Sequence, residues 1–480
     1  VGFGGGAQVA LAADRDLLET VRRLPAVADA ARAARSGAPD AVQRLYDRAR
    51  DLEEDLRASA PVSESCRPLH AAALAVARSH VLAAEGVDRL SPGTAAEGRR
   101  RARAATRRVE ETRGRCRPVA APRSRQHVPE LTTPRPGEAF FGAIRAPVPG
   151  GAVSADVLVD GAVAARRPVT GRELRAASPA APGRHDIHVV FRSATGGVAG
   201  TAGSEDVWAL PDAARTARDG TASSGPLAAR LRRLAGGFRG HAGIWVQDLS
   251  SGVVAGYNAD ARFPAASTVK LALLVGALPR LGPAPERSRH AYDLRAMVGW
   301  SSNLATNRIL ARLGGSALAQ GVMTHLGASR STFTGGYIVG TELQPELPDG
   351  GVVSEPPAVS SRVTTARDMG RLLFAVHAAA AGRPDALAAT GLTLHQARVG
   401  LALLLDSEQR GDNRSLVAGA LPPGTPVAQK NGWLRRARHG AAIVYLPAGP
   451  RIVVLLTYSG AGVTRGRAAA LGAAVARITP

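Results

Sequence analysis

The chain has 480 residues, 61 of them basic and 39 acidic, for a formal net charge of +22. That length suits two to four domains, and 45% apolar content is enough for real cores. No run of 18 apolar residues occurs, so nothing as written reads as a membrane span.

The charge invites a nucleic-acid reading, but its distribution argues against one. Residues 1–130 mix 23 Arg with 17 Asp or Glu rather than segregating them. Aromatics are 4% of the chain, which leaves few platforms on which bases could stack. General attraction to anionic polymers or membrane surfaces fits better, and no nucleic-acid partner is expected. Of the 61 basic residues only Lys270 and Lys430 are lysine. Arg stays protonated at any accessible pH, whereas a desolvated Lys can lose its proton. These two positions are therefore the first candidates for chemistry.

The chain opens with a short stretch of small and apolar residues ending Ala10-Leu11-Ala12, before Ala13-Asp14. This matches the end of a signal sequence without its basic start. It predicts an extracytoplasmic protein, secreted or envelope-associated, with a signal sequence incomplete in this chain. Residues 13–117 read as a helical bundle. Leu17, Leu18, Val21, Leu24 and Val27 share a helical period, and so do Val42, Leu45, Leu52 and Leu56. A third run starts at Pro68, and Ser91-Pro92 opens a fourth with an N-cap and a proline at the first helical position. Cys66 and Cys116 fall at the ends of predicted helices. They either staple the third helix to the fourth in an oxidising compartment or remain two buried thiols. Two thiols 50 positions apart, with no His cluster, do not make a metal site.

Five prolines between 118 and 137 mark a linker. Residues 138–213 then read as a small β spacer. Val153–Val159 alternates, Asp160-Gly161 is a turn pair, and Asp186–Arg192 is a second strand-like run. This stretch resembles the small immunoglobulin-like β-sandwich spacers of bacterial exported proteins, a likeness that carries no activity. Residues 214–224 read as a second linker. From 225 to 480 the pattern is α/β. Two strands come first, helices follow, and two strands and a helix close the chain. That order predicts an antiparallel sheet built from both ends of the domain and flanked by helices.

Three motifs lie within residues 225–480. Ser267-Thr268-Val269-Lys270 puts a serine and a lysine one helical turn apart at the start of an apolar helix. A serine hydroxyl is a poor nucleophile until a nearby base takes its proton, and a lysine beside a second cation can serve. Ser301-Ser302-Asn303 follows 34 residues later, ahead of the helix Leu304–Leu313. Lys430-Asn431-Gly432 precedes the last two strands, and its glycine leaves the strand edge open to a substrate backbone.

In this order the three motifs resemble S-x-x-K, S-D-N and K-T-G of the serine penicillin-recognising superfamily, most closely class A β-lactamases. Val363–Met369 and Gly432–Pro447 extend the resemblance, which covers residues 225–480 only. It implies that Ser267 is the acylated nucleophile and Lys270 its proton acceptor. Ser301 would carry a proton to the leaving nitrogen. Lys430 would keep the region positive and draw in a substrate carboxylate. Asn303, Asn431, Gly432, Trp433 and Arg438 would contact substrate. The oxyanion would rest on the N–H of Ser267 and that of Trp433 or Leu434. Neither a cofactor nor a metal is implied.

The chain departs from the pattern where Asp is replaced by Ser302 and Thr by Asn431. Class A enzymes also place a deacylating glutamate about 34 residues past the Asn of S-D-N. Here that position is Tyr337, and Glu342 and Glu346 are the nearest candidates for the base. The expected function is an exported serine hydrolase that forms an acyl-enzyme with a β-lactam or a peptidoglycan-derived acyl-D-amino acid, and deacylates slowly. A D,D-peptidase or esterase on the same fold is the enzymatic alternative. A non-catalytic envelope-binding or sensory module, with a partner for the helical bundle, is the other.

Overall fold

The computed structural model describes residues 5–60, 62–116, 129–337, 362–407 and 416–478. They fall into two compact units. The first joins the N-terminal helices with Ser302–Arg308 and Tyr337, and the second holds the rest. Among the described residues no helix is long and apolar enough to cross a membrane.

The first unit contains α1 (Gly5–Val21), α2 (Leu24–Ala33), α3 (Pro39–Ala58), α4 (Arg67–Asp88) and α5 (Pro92–Arg113). Where one periodic run was expected over 17–27, the chain breaks at Arg22-Arg23. Pro25 sits in the first turn of α2, where its missing N–H is no loss and its ring permits no preceding helical turn. Val42, Leu45, Ala49, Leu52 and Leu56 form the buried stripe of α3. In contrast, α5 is arginine-rich and buries only the small residues Ala95, Gly98, Ala102 and Ala105 with Val109. Small residues let α4 and α5 touch backbone to backbone. A methyl on Gly98 would lie 2.4 Å from the Ala83 nitrogen, and one on Gly86 2.3 Å from that of Ala95. Cys66 and Cys116 are joined in a disulfide, so the staple from the start of α4 to the chain just past α5 is formed.

Lys and Glu seldom hide inside such bundles, and the same holds for Arg unless it is paired. Arg50 is buried against Glu53 and Glu54, and Arg57 and Arg78 reach Glu53 at 2.7 and 3.0 Å. In this same unit Arg308 is buried with its guanidinium 2.7 Å from Asp51 and 3.0 Å from Glu54.

The second unit begins with a β region. Its strands are β1 (Ala139–Phe141), β2 (Ala143–Pro147), β3 (Ala152–Val159), β4 (Ala162–Pro168), β5 (Glu173–Ala177), β6 (Gly183–Ser193) and β7 (Val198–Leu210). Five make one sheet, in the order β1-β7-β6-β3-β4, while β2 pairs with β5 in a separate ribbon. The alternation places Ala155, Val157, Ile187, Val189 and Phe191 inward, against Ile144, Ala146 and Leu174 of the ribbon. Asp160 and Gly161 both have positive φ, as the tight turn between β3 and β4 demands.

The rest of the unit is built on a sheet of β8 (Ala222–Ser223), β9 (His241–Asp248), β10 (Val253–Tyr257), β13 (Val427–Leu434), β14 (Ala437–Leu446) and β15 (Gly449–Tyr458). The order is β13-β14-β15-β9-β10-β8, so the strands from the two ends of the domain form two adjacent sets that meet at β15 and β9, and β13 is an edge. Residues 214–224, expected as a linker, carry the edge strand β8. One face of the sheet packs on α6 (Gly225–Gly236) and α14 (Arg465–Ala476), through Leu227, Leu231, Leu471 and Val475. Between these ends lie β11 (Phe263–Pro264), α7 (Lys270–Ala277), α8 (Ala291–Gly299), α9 (Asn303–Leu313), α10 (Gly315–His325), β12 (Val363–Thr364), α11 (Ala366–Ala380), α12 (Pro384–Thr390) and α13 (Leu394–Asp406). On the other face Gly370 of α11 lets the ring of Trp245 on β9 approach to where a methyl would be, 2.4 Å from Cδ1.

The β region is fixed to this frame by polar contacts. Trp208 donates its indole N–H to Asp406 at 3.0 Å. The buried His395 ring lies 2.6 Å from Glu138 and 3.0 Å from Glu286. Burial alone would lower the His395 pKa, but the two carboxylates overcome it and hold the pKa above its ordinary value.

Candidate active site

The Ser267 turn is built by its neighbours. β11, just before it, pairs with β12, so Pro264 faces Val363 and Phe263 faces Thr364. The Ala265 N–H donates to the Arg362 carbonyl at 2.9 Å. The buried His439 ring, pushed down to a pKa of about 4 by desolvation, is neutral at pH 7. It accepts the Thr457 N–H on Nδ1 at 3.2 Å and therefore donates from Nε2 to the Pro264 carbonyl at 2.7 Å. Ala266 then turns with φ of 49°, a left-handed conformation that costs a residue with a Cβ roughly 1–2 kcal/mol. Ser267 sits in the turn after it, ahead of the first residue of α7. Bonds from Lys270 N to Ser267 O (3.2 Å) and from Leu271 N to Thr268 O (3.1 Å) span three residues and tighten the entry.

Lys270 and Lys430 are both fully or almost fully buried. They converge on one residue. Lys270 Nζ donates to the Ser301 carbonyl at 2.8 Å and lies 3.4 Å from its hydroxyl. Lys430 Nζ donates to the same hydroxyl at 3.0 Å and to the Asn431 carbonyl at 2.9 Å. Ser301 holds a left-handed φ of 62°, a strained conformation for a non-glycine. Desolvation pushes the Lys430 pKa down to about 7. The chain's two lysines thus share a single hydroxyl in a water-poor site.

Gly432 is required for a more specific reason than an open strand edge. A methyl there would lie 2.9 Å from the Ser267 nitrogen, 3.0 Å from Ala266 Cβ and 3.1 Å from the Thr268 nitrogen. The space beside the strand is filled by the Ser267 turn, and the backbone of β13 runs directly against the Ser267 amide.

Strand alternation puts Lys430 and Gly432 on one face of β13, with Asn431 and Trp433 on the other. On that other face a recess of about 160 Å³ is lined by Leu416, Asn431, Gly432, Trp433, Arg438, His439 and Arg465. The Arg438 guanidinium lies 5.8 Å from the centre of the Trp433 ring. The buried Asn431 amide has no hydrogen-bond partner among the described residues. Sequence reasoning passed over Arg465, whose only signal is its place at the first position of α14.

Asn303 opens α9 and counts with the first unit. Its backbone N–H donates to Asp88 at 2.9 Å. Asp88 carries no motif and was not anticipated. Tyr337 is tied by its backbone to the side chain of Asn307, with bonds of 2.7 and 2.8 Å. Glu342 and Glu346 lie outside the described residues.

Residues 226–282 and 292–479 match the model of a family described as the beta-lactamase enzyme family. No curated protein matches the chain. Among solved structures, a beta-lactamase from Sphaerobacter thermophilus is 20% identical, covers 52% of this chain and 94% of its own, and gives a TM-score of 0.40. A protein named PBP-A is 19% identical over 55% of this chain and 98% of its own, with a TM-score of 0.42. A beta-lactamase from Streptosporangium roseum is 21% identical over 53% of this chain and 98% of its own, also at 0.42.

Proposed function

We propose, because the chain belongs to the beta-lactamase enzyme family, that residues 225–480 form a serine hydrolase domain acylated at Ser267. The substrate is a β-lactam or a peptidoglycan-derived acyl-D-amino acid. The observation that carries this reading is the convergence of Lys270 and Lys430 on Ser301.

Lys270 takes the Ser267 proton as the hydroxyl attacks the carbonyl carbon. The Ser267 N–H and an N–H of β13 beyond Gly432 hold the oxyanion. The scissile C–N bond breaks as the leaving nitrogen takes a proton relayed through the Ser301 hydroxyl. Lys430 supplies positive charge and draws in the substrate carboxylate.

Tyr337 stands where class A enzymes carry the deacylating glutamate, which supports slow release of the acyl group. It also favours a second reading, a D,D-peptidase-like or sensory domain whose acyl-enzyme persists. A fluorescent penicillin followed by an unlabelled chase, set beside turnover of a chromogenic cephalosporin and of a D-Ala-D-Ala peptide, tests the choice. Labelling that outlasts the chase for many minutes, with little cephalosporin turnover, is expected. Rapid loss of label with fast turnover would make the protein an efficient β-lactamase instead.

Lys430 gives the reaction a pH signature. Above pH 7 it loses its charge, so acylation by a carboxylate-bearing substrate should fall along a limb centred near 7. Lys430→Arg keeps the charge and should flatten that limb. A wild-type profile flat from pH 6 to 9 would remove Lys430 from carboxylate attraction. The stability sign follows as well. The unfolded lysine binds its proton up to about pH 10.4, so unfolding takes up a proton between about 7 and 10.4 and stability rises with pH across that window.

The disulfide supports an oxidising, extracytoplasmic compartment. Residues 13–117 would then present a partner surface to the envelope, and residues 138–213 would serve as an immunoglobulin-like spacer.

A further inference from the structure

Helix α13 touches the two elements that carry the lysines. At its start the Gln396 amide donates to the Leu278 and Gly282 carbonyls, at 3.3 and 2.8 Å, just past the end of α7. Gly400 permits a closer approach still, since a methyl there would lie 2.8 Å from Leu278 Cδ1. α7 itself begins at Lys270. Beyond the end of α13, the buried Ser407 hydroxyl lies 2.7 Å from the Leu404 carbonyl and 2.7 Å from the Gln429 carbonyl. It shares its proton between the helix end and β13, one residue before Lys430.

The β region grips this helix at both ends. Glu138, just before β1, is buried with one carboxylate oxygen 2.6 Å from the His395 ring and the other 3.6 Å from the Arg398 guanidinium. At the far end Asp406 accepts the Trp208 indole N–H at 3.0 Å and an Arg184 N–H at 3.3 Å. Two physical points make these contacts informative. Asp406 is the last residue of α13, where the negative end of the helix disfavours a carboxylate. Its own helix therefore gives no reason for an acid there, and both partners just named come from the β region. A region that merely tethered the domain would also meet it through an exposed polar surface. Burying Glu138 and His395 is instead costly unless they stay paired, so the contact is held in one arrangement.

We propose that the β region is a brace for the active site, with Asp406 as its positioning residue. Gripped by Trp208 and Arg184, Asp406 fixes the end of α13. Ser407 passes that constraint to β13, so that Lys430 stays at the Ser301 hydroxyl. Residues 138–213 thereby take part in the geometry of the reaction as well as spacing the domain. The catalytic part of this statement rests on the proposed acylation at Ser267.

The test compares full-length Asp406→Ala, Trp208→Phe and Asp406→Asn. Trp208→Phe keeps an aromatic ring and removes the donated N–H, and Asp406→Asn keeps an acceptor for it. Two readouts are taken, the pH profile of labelling by a fluorescent penicillin and hydrogen exchange of the peptide covering residues 427–434. Asp406→Ala and Trp208→Phe should label about fivefold more slowly, within the scale of one lost hydrogen bond to a charged group. The midpoint of the pH limb should move above 7, because a loosened Lys430 regains water and its pKa rises. Exchange at 427–434 should increase while peptides from α6 and α14 stay protected. Asp406→Asn should keep both readouts close to wild type. Unchanged exchange at 427–434 in both Asp406→Ala and Trp208→Phe, or slower labelling with an unmoved midpoint, would overturn the proposal. A wild-type protein that takes no label at Ser267 would instead count against the proposed function. The exchange comparison would still decide whether the β region fixes β13.

Discussion

Lys270→Arg is expected to abolish acylation, lowering its second-order rate constant by at least ~1000-fold, although the positive charge is kept. The side chain is fully buried, and its single ammonium points at the Ser301 carbonyl at 2.8 Å. A guanidinium is planar, wider and never deprotonated in a protein, so it can neither fit this pocket unchanged nor accept the Ser267 proton. The surrounding chain has made the opposite choice everywhere except at 270 and 430, using arginine for all its other basic residues. Circular dichroism should remain close to wild type and the unfolding transition should fall only by the about 1–3 kcal/mol of an overpacked site, which separates lost chemistry from lost folding. Near-wild-type labelling of the Arg variant would remove Lys270 from the role of base.

Arg308→Ala should lower the stability of the helical unit by about 3 kcal/mol. Arg308 is buried with its guanidinium on Asp51 and Glu54, and Glu54 is itself almost fully buried. Removing the cation leaves carboxylates in a low-dielectric site with less compensation. Arg50 still reaches Glu54, at 3.3 Å, which is why the expected loss lies at the lower end for a broken buried pair. Arg32→Ala is the control, since its pair with Asp29 is exposed on both sides. Scanning calorimetry should show one transition moved down in Arg308→Ala and none moved in Arg32→Ala. Equal thermograms for the two variants would mean that the buried network contributes nothing net.

Much of this was legible before any coordinates. Helix starts were marked by proline at 68 and 92, and strands by alternation at 153–159. That both ends of the domain share one sheet followed from the order of its strands, although the strand order within the sheet, and β8 in the expected linker, did not. The three motifs and the lysine count pointed to the same few side chains that converge at Ser301. What the sequence hides is long-range. Nothing local distinguishes Asp88 from any other acid at a helix end, and its partner lies 215 positions away. The tightness at Gly432 also depends on a turn brought in from residue 267. The recess beside Asn431 was legible in principle, because a strand period of two separates 431 from 430, yet it calls on Arg465 from a helix that no strand pattern reveals.

The most direct test of the account is the intact mass of the protein after incubation with a penicillin. The account predicts a stable increase equal to one penicillin in the wild-type chain and none in Ser267→Ala. An unmodified wild-type mass, or the same adduct in Ser267→Ala, would contradict it.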